Sequence, residues 1–269
     1  MQDNYVNEII ENIKDADMVL IGLGEEFDVL GDIQNVDGYG EGRLLLAESE
    51  ECSLIPAWQH LFRENKTDYV TPALTALANV LEGKNYFVVS VSMNRIIAQI
   101  PWREGRLVMP CGTDMYSQCS SSCEKNLSPI SEREQMTLQK QLKNWHSEIL
   151  QGEKKKVPEG LGTCPICGAK RELNNIFCEH YDENGYLPAW QHYTKWLQGT
   201  LNKKLVVLEL GVGMNFPSVI RFPFEKIGYF NQKAKFYRIN KNLYHLTEEL
   251  AGKGVGIADN AIDWLQNLC

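Results

Sequence analysis

Short apolar runs alternate with amphipathic stretches along the chain. Residues 2–16 put Tyr5, Val6, Ile9, Ile10 and Ile13 on one stripe, the spacing of an amphipathic helix. Met18-Val19-Leu20-Ile21 follows as a strand and closes in Gly22-Leu23-Gly24. Residues 28–43, rich in Gly and Asp, read as a loop. Residues 44–66 read as helical, with Pro56 opening a helix through Ala57-Trp58-Gln59-His60-Leu61-Phe62. A further helix covers 72–82, and Tyr86-Phe87-Val88-Val89-Ser90-Val91-Ser92 is a strand before the turn Met93-Asn94-Arg95. The pattern resumes near 200 with Leu205-Val206-Val207-Leu208-Glu209-Leu210, closed by Gly211-Val212-Gly213-Met214-Asn215. Another strand runs from Ala234 to Asn240, and 257–265 reads as a helix with Asp259 as its cap. Continuous apolar strands alternating with helices predict an α/β fold, a doubly wound, Rossmann-like parallel sheet.

The two Gly-x-Gly turns are the first candidate chemistry. Gly211 and Gly213 let backbone approach a ligand at the carboxyl end of a strand, where open α/β sheets bind cofactors. Gly22 and Gly24 form a second turn of the same kind, and the two can face each other across one nucleotide crevice. Gly-x-Gly after a strand is also a common tight turn, so the pattern alone leaves both readings open.

Composition shifts near 112. Cys119-Ser120-Ser121-Ser122-Cys123 and Cys164-Pro165-Ile166-Cys167-Gly168 have the spacing of two metal knuckles. Together Cys119, Cys123, Cys164 and Cys167 complete a tetrahedral four-thiolate set for structural Zn. The polar stretch from Ser131 to Pro158, with a Lys-rich run at 154–156, separates the knuckles. Cys52, Cys178 and Cys269 are left without a pattern. The pentapeptide Pro-Ala-Trp-Gln-His occurs at 56–60 and again at 188–192; its flanks differ, and His60 and His192 read as ordinary helix residues. The expected large domain is discontinuous, over 1–35, 70–112 and 200–269. A helical insert at 36–69 and a zinc-ribbon segment at 113–199 make the smaller part, with the cleft between.

The length of 269 residues suits one large domain, or one large and one small. A net charge of −8 argues against non-specific nucleic-acid binding. No apolar run approaches the roughly 20 residues that span a bilayer. The start, Met1-Gln2-Asp3-Asn4-Tyr5, is unlike a secretory signal, so the expected location is cytoplasmic and the cysteines are expected as thiols or metal ligands.

A zinc module inserted in a nucleotide-binding sheet resembles the sirtuins, over nearly the whole chain. Gly22-Leu23-Gly24 stands where sirtuins have Gly-Ala-Gly over the NAD diphosphate. Ser92-Met93-Asn94 stands where they have Asn-x-Asp at the nicotinamide side. Cys111-Gly112 takes the place of the catalytic His-Gly, with Cys111 eight residues before Cys119 as in the family. Asn240 matches the Asn that contacts the adenosine ribose. Leu208 to Asn215, Arg221-Phe222-Pro223-Phe224-Glu225 and Gln118-Cys119-Ser120 are similar to the macrodomain-linked (class M) bacterial sirtuins. The resemblance implies NAD as cofactor and ADP-ribosyl transfer to a protein, in that branch a lipoyl-carrier protein. It implies Cys111, Asn94 and Ser92 as catalytic positions and Gly22, Gly24, Gly211, Gly213, Asn215 and Asn240 as cofactor-binding ones.

The departures fall on the chemistry. Glu25, Glu26, Phe27 and Asp28 replace small residues after Gly24. Carboxylates there satisfy the helix-terminus amides themselves and repel a diphosphate, at on the order of 2–3 kcal/mol for each close pair. Asn94 removes a carboxylate, and Cys111 has no nearby cation in sequence except Arg106. Three readings follow: an NAD-consuming transferase, a nucleotide-binding or partner-binding module without turnover, with ADP-ribose as one ligand, and a structural subunit.

Overall fold

A computed structural model describes residues 2–63, 67–123, 127–152 and 156–268. Cys269, Lys154, Lys155 and residues 64–66 of the expected second helix lie outside them.

Helix α1, Gln2–Asp15, buries Val6, Ile9 and Ile13 and delivers the chain to strand β1, Met18–Leu23. A 3-10 turn, Glu25–Asp28, leads into α2, Leu30–Ile33, and α3, Tyr39–Ala47. The expected loop at 28–43 is therefore largely helical. Its glycines misled because Gly42 lies inside α3 against the Trp58 indole, where a Cβ would overlap the ring. Helices α4, Ile55–Arg63, and α5, Thr67–Val80, precede β2, Tyr86–Ser90. Then come α6, Arg95–Gln99, β3, Leu107–Val108, β4, Gly112–Cys119, and β5, Ser128–Pro129.

The polar stretch after Ser131 is a 19-residue helix, α7, Glu132–Leu150. Two signals marked it in the sequence. Ser131 and Glu134 form a reciprocal capping box, worth about 1 kcal/mol. Leu138, Leu142, Trp145 and Ile149 recur at helical spacing and are buried. Strand β6, Arg171–Asn175, and helix α8, Leu187–Gln198, follow; α8, expected in the smaller part, packs on the parallel sheet through Tyr193 and Trp196. The chain then supplies β7, Leu205–Leu210, α9, Arg221–Phe230, and β8, Ala234–Ile239. It ends in β9, Gly254–Ile257, and α10, Ala261–Gln266. The last helix thus begins later than expected, and its cap is Asn260, which accepts from the Ile262 and Asp263 amides, rather than Asp259. Glycine hid β9: a Cβ at Gly254 would meet the Phe236 carbonyl at 2.7 Å, so only glycine fits there.

Six strands form one sheet in the order β3-β2-β1-β7-β8-β9, every pair parallel. Ile21 pairs with Val88 on one side and Leu208 on the other, so two segments distant in sequence make the centre. One face packs Val19, Ile21 and Leu23 on α1, α5 and α10; the other packs Leu20, Phe87 and Val207 on α8 and α9. Each fully buried aliphatic of this kind contributes about 1.5–3 kcal/mol. Strands β5-β4-β6 form a separate antiparallel sheet. Trp58 of α4 meets Trp145 of α7 at 5.1 Å, so the segment around α4 and the cysteine-bearing segment share one core.

Candidate functional site

Strands β1 and β7 are neighbours, so their glycine turns meet. The Gly24 amide donates to the Leu210 carbonyl at 2.8 Å. A Cβ on Gly24 would overlap the Gly211 backbone, and Gly211 itself has φ +62. Gly22 is buried under α9, where a Cβ would meet Ile220 at 2.7 Å and Phe224 at 2.9 Å. Both N-terminal glycines therefore serve close packing, and neither lines the cleft as expected.

That cleft, about 560 Å3, opens at the carboxyl ends of the strands and is lined by Glu25, Glu26, Gly211, Gly213, Asn240 and Asp263 among others. Its amides are already engaged. Glu25 accepts from Gly213 N–H at 2.6 Å and Asn215 N–H at 3.1 Å. Glu26 accepts from Lys241 N–H at 2.8 Å and from Ala261 N–H, at the start of α10, at 2.7 Å. Two carboxylates thus fill a four-donor anion cradle, the role that free helix and turn amides play toward phosphate. Burial raises the Glu26 pKa above the carboxylate norm, opposed by the Ala261 and Lys241 amides. The segment ends at Val29, whose φ of 54 puts a β-branched residue in the left-handed region, at a cost of order 1–3 kcal/mol. Asn215 contributes its amide. The Asn240 side chain caps its own turn, accepting from the Asn242 and Leu243 amides and donating to the Val212 carbonyl.

Ser92 and Asn94, expected at the inner end of the cleft, are fully buried and are not among the residues that line it. Asn94 is spent on structure: its oxygen caps α6 through Ile96 N–H and its amide donates to the Phe27 carbonyl. The Ser92 hydroxyl donates to Asp28 Oδ1 at 2.9 Å. Asp28 also faces Arg63, which donates to its backbone carbonyl at 2.7 Å and to Gln59 at 2.8 Å. Burial raises the Asp28 pKa, and Arg63 and Ser92 oppose that rise. Asp28 and Arg63 were not read from the sequence as site residues. Asp28 carried one signal, an acid between the apolar Phe27 and Val29; Arg63, on a distant helix, carried none. Cys111 is buried and its thiol is pushed up to about 12, first by burial and then by the charges of Asp28 and Glu25. At neutral pH it is neither a thiolate nor a base.

The segments around Glu209, Arg221 and Glu225 are mostly braces. Arg221 donates to the Val212 carbonyl of the glycine turn and to the Leu243 carbonyl across the cleft. Arg238, buried in β8, is clamped by Glu209 at 2.6 Å and Glu225 at 2.7 Å. In the smaller part, Cys119, Cys123, Cys164 and Cys167 bring their sulfurs within 4.8 Å of one another, with closest pairs at 3.4 and 3.5 Å. Tetrahedral Zn with bonds of about 2.3 Å needs S–S edges of about 3.8 Å. The four thiols fit that ion.

No protein-family model matches the chain. Among curated proteins it is 21% identical to a protein ADP-ribosyltransferase of Staphylococcus aureus, over 92% of this chain and 82% of that one. It is 25% identical to a probable bifunctional ADP-ribose hydrolase/ADP-ribosyltransferase of Fusarium oxysporum f. sp. cubense, over 54% of this chain and 24% of that protein. Among solved structures, a Sir2 homologue in complex with NAD superposes with TM-score 0.56 at 13% identity, covering 97% of this chain and 91% of the other. A structure described as the basis of sirtuin substrate affinity gives 0.58 at 12% identity, covering 97% and 96%. The chain has the sirtuin fold.

Proposed function

We propose that the chain is an NAD-dependent ADP-ribosyltransferase that acts in the cytoplasm on a protein acceptor, a lipoyl-carrier protein being the expected class. The cradle carries the reading: the amides of Gly213, Asn215, Lys241 and Ala261 converge at the strand ends and hold two carboxylates. A diphosphate also brings two negative charges, and the same amides suit it. NAD supplies an activated ribosyl carbon with nicotinamide as its leaving group. For NAD to enter, Glu25 and Glu26 leave the amides. Asn240 and Arg221 keep the two turns aligned. Asp28, buried next to the cradle and held by Ser92 and Arg63, is the carboxylate that would stand in for the one absent at Asn94 on the nicotinamide side. Cys111 keeps its proton and closes the inner end against water. The four cysteines bind Zn and hold the smaller part together.

The test is transfer of label from adenylate-labelled NAD. Label on a lipoyl-carrier acceptor, with matching nicotinamide release and loss of both in Gly213→Trp, supports the reading. No transfer and no release, from either the native chain or the Glu25→Ala, Glu26→Ser variant, overturns it.

A further inference from the structure

A second and larger cleft, about 1060 Å3, lies at the opposite, amino end of the parallel strands. Arg103, Arg106, His192, Lys195 and Lys203 line it, with Glu104 the one acid among the lining residues. The chain as a whole is acidic, at −8, so this concentration of cations is against its average. The side chains of Arg103, Arg106, Lys195 and Lys203 have no hydrogen bond or ion pair among the described residues.

The two arginines are held as a pair. Arg106 N–H donates to the Arg103 carbonyl at 3.1 Å, closing a turn, and Gly105 within it has φ +68. The Tyr86 hydroxyl fixes one end of the turn by accepting the Arg103 N–H at 2.7 Å. His192 of α8 stands against Gly105. Burial, and then the neighbouring Arg103, pull the Arg106 pKa below its usual value. Two like charges are thus built into one turn, with Glu104 between them as the one acid of the lining.

We propose that this cleft is a second ligand site, which takes a small molecule carrying two or more phosphate groups. A guanidinium matches a phosphate through paired N–H donors, and two guanidiniums one turn apart suit two phosphates. Lys195 and Lys203 add point charges at the rim. Met18 and Trp196, backed by the buried Phe87, give the same cleft a small apolar wall for the rest of the ligand. The volume is at the upper end of small-molecule pockets, about 300–1000 Å3. The site is separate from the glycine-turn cleft, because the length of the strands lies between them.

Calorimetry on the full chain tests this, with tripolyphosphate and a nucleoside triphosphate as probes and ADP-ribose as reference. Tripolyphosphate should bind in the micromolar range and weaken with salt. Arg103→Ala with Arg106→Ala should weaken it at least tenfold, and so should Lys195→Gln with Lys203→Gln, whose exposed positions leave folding intact. Neither variant should change ADP-ribose binding. A nucleoside triphosphate equal to tripolyphosphate assigns recognition to phosphate alone; a tighter one adds the apolar wall. The proposal is overturned by no binding of either probe at millimolar concentration, or by binding that both double variants leave unchanged. It is also overturned by loss of tripolyphosphate binding in Gly213→Trp, which assigns the probe to the other cleft, or by a polyglutamate peptide binding where tripolyphosphate does not.

Discussion

The carboxylate of Glu25 accepts the backbone N–H of Gly213 at 2.6 Å, across 188 residues of sequence. A side chain of the first glycine turn thus occupies the donor that the second turn presents. Charge repulsion, expected between this segment and a diphosphate, is one part of the barrier to a nucleotide; direct occupation of its amides is the other.

Removing both carboxylates should free the cradle. Glu25→Ala with Glu26→Ser is expected to tighten ADP-ribose at least tenfold, about 1.4 kcal/mol, by calorimetry. An unchanged affinity would place the nucleotide elsewhere.

Acid should act in the same direction. Glu26 has a raised pKa, so on descending pH it takes its proton before an ordinary carboxylate does. Once neutral it binds the Lys241 and Ala261 amides less strongly and ceases to repel an anion, while a diphosphate keeps its charge. Asp259 and Lys241 are the charged groups that face it. ADP-ribose affinity is expected to rise as the pH falls from neutral, before ordinary carboxylates take their protons, and Glu26→Gln to flatten that rise. An affinity that falls with acid in the native chain would contradict the arrangement.

At the inner end the expected roles separate. Cys111→Ala should change nicotinamide release less than threefold, because a thiol with a pKa of about 12 has almost no thiolate at neutral pH. Mass spectrometry should find it unmodified by iodoacetamide under native conditions. Asp28→Asn leaves the buried Arg63 without its charge partner and should cost about 3 kcal/mol in urea unfolding.

The sheet was legible because its strands are continuous apolar runs, and the cysteine pairs because their spacing is short and local. What escaped were features whose cause is distant in sequence. Gly42 falls in a stretch that reads as a loop and Gly254 in one that carries no strand signal, yet each admits a close neighbour inside a regular element. The helix after Ser131 was hidden by its polar face, although the Ser131–Glu134 box and the Leu138–Leu142–Trp145 spacing announced it. In the site, the positions were found more readily than their occupants. Gly211, Gly213 and Asn240 line the cleft, but no pattern ties Glu26 to Ala261, or Asp28 to Arg63, before the chain is folded.

Gly24→Ala tests the contact between the turns. Its Cβ would overlap the Gly211 backbone, so the β1 and β7 turns must separate. A loss of about 2–4 kcal/mol is expected. Gly31→Ala, in α2, meets nothing within 4 Å and should be neutral or slightly stabilising. Equal effects of the two would mean that the turns are not in contact.

Metal content is the simplest measurement. Elemental analysis should find one zinc per chain, lost in Cys164→Ser. Chelation should release it and reduce the fluorescence signature of Trp58 and Trp145, whose shared core includes Leu173 of β6. A protein free of zinc with four titratable thiols at these positions would exclude the site.

The pairing of β1 with β7 has a consequence for synthesis. β1 can gain β2 soon after both leave the ribosome, but its other neighbour begins only at Leu205. At about 5–20 residues per second, the intervening stretch takes on the order of ten seconds to make. Through that interval Val19, Leu20 and Ile21 present an open, apolar strand edge, the kind that captures other chains. The cysteine-bearing segment is translated in the same interval, so it can capture its ion and fold first. Protection of the nascent edge, by a chaperone or by the half-built domain itself, has to be in place before the ribosome reaches β7.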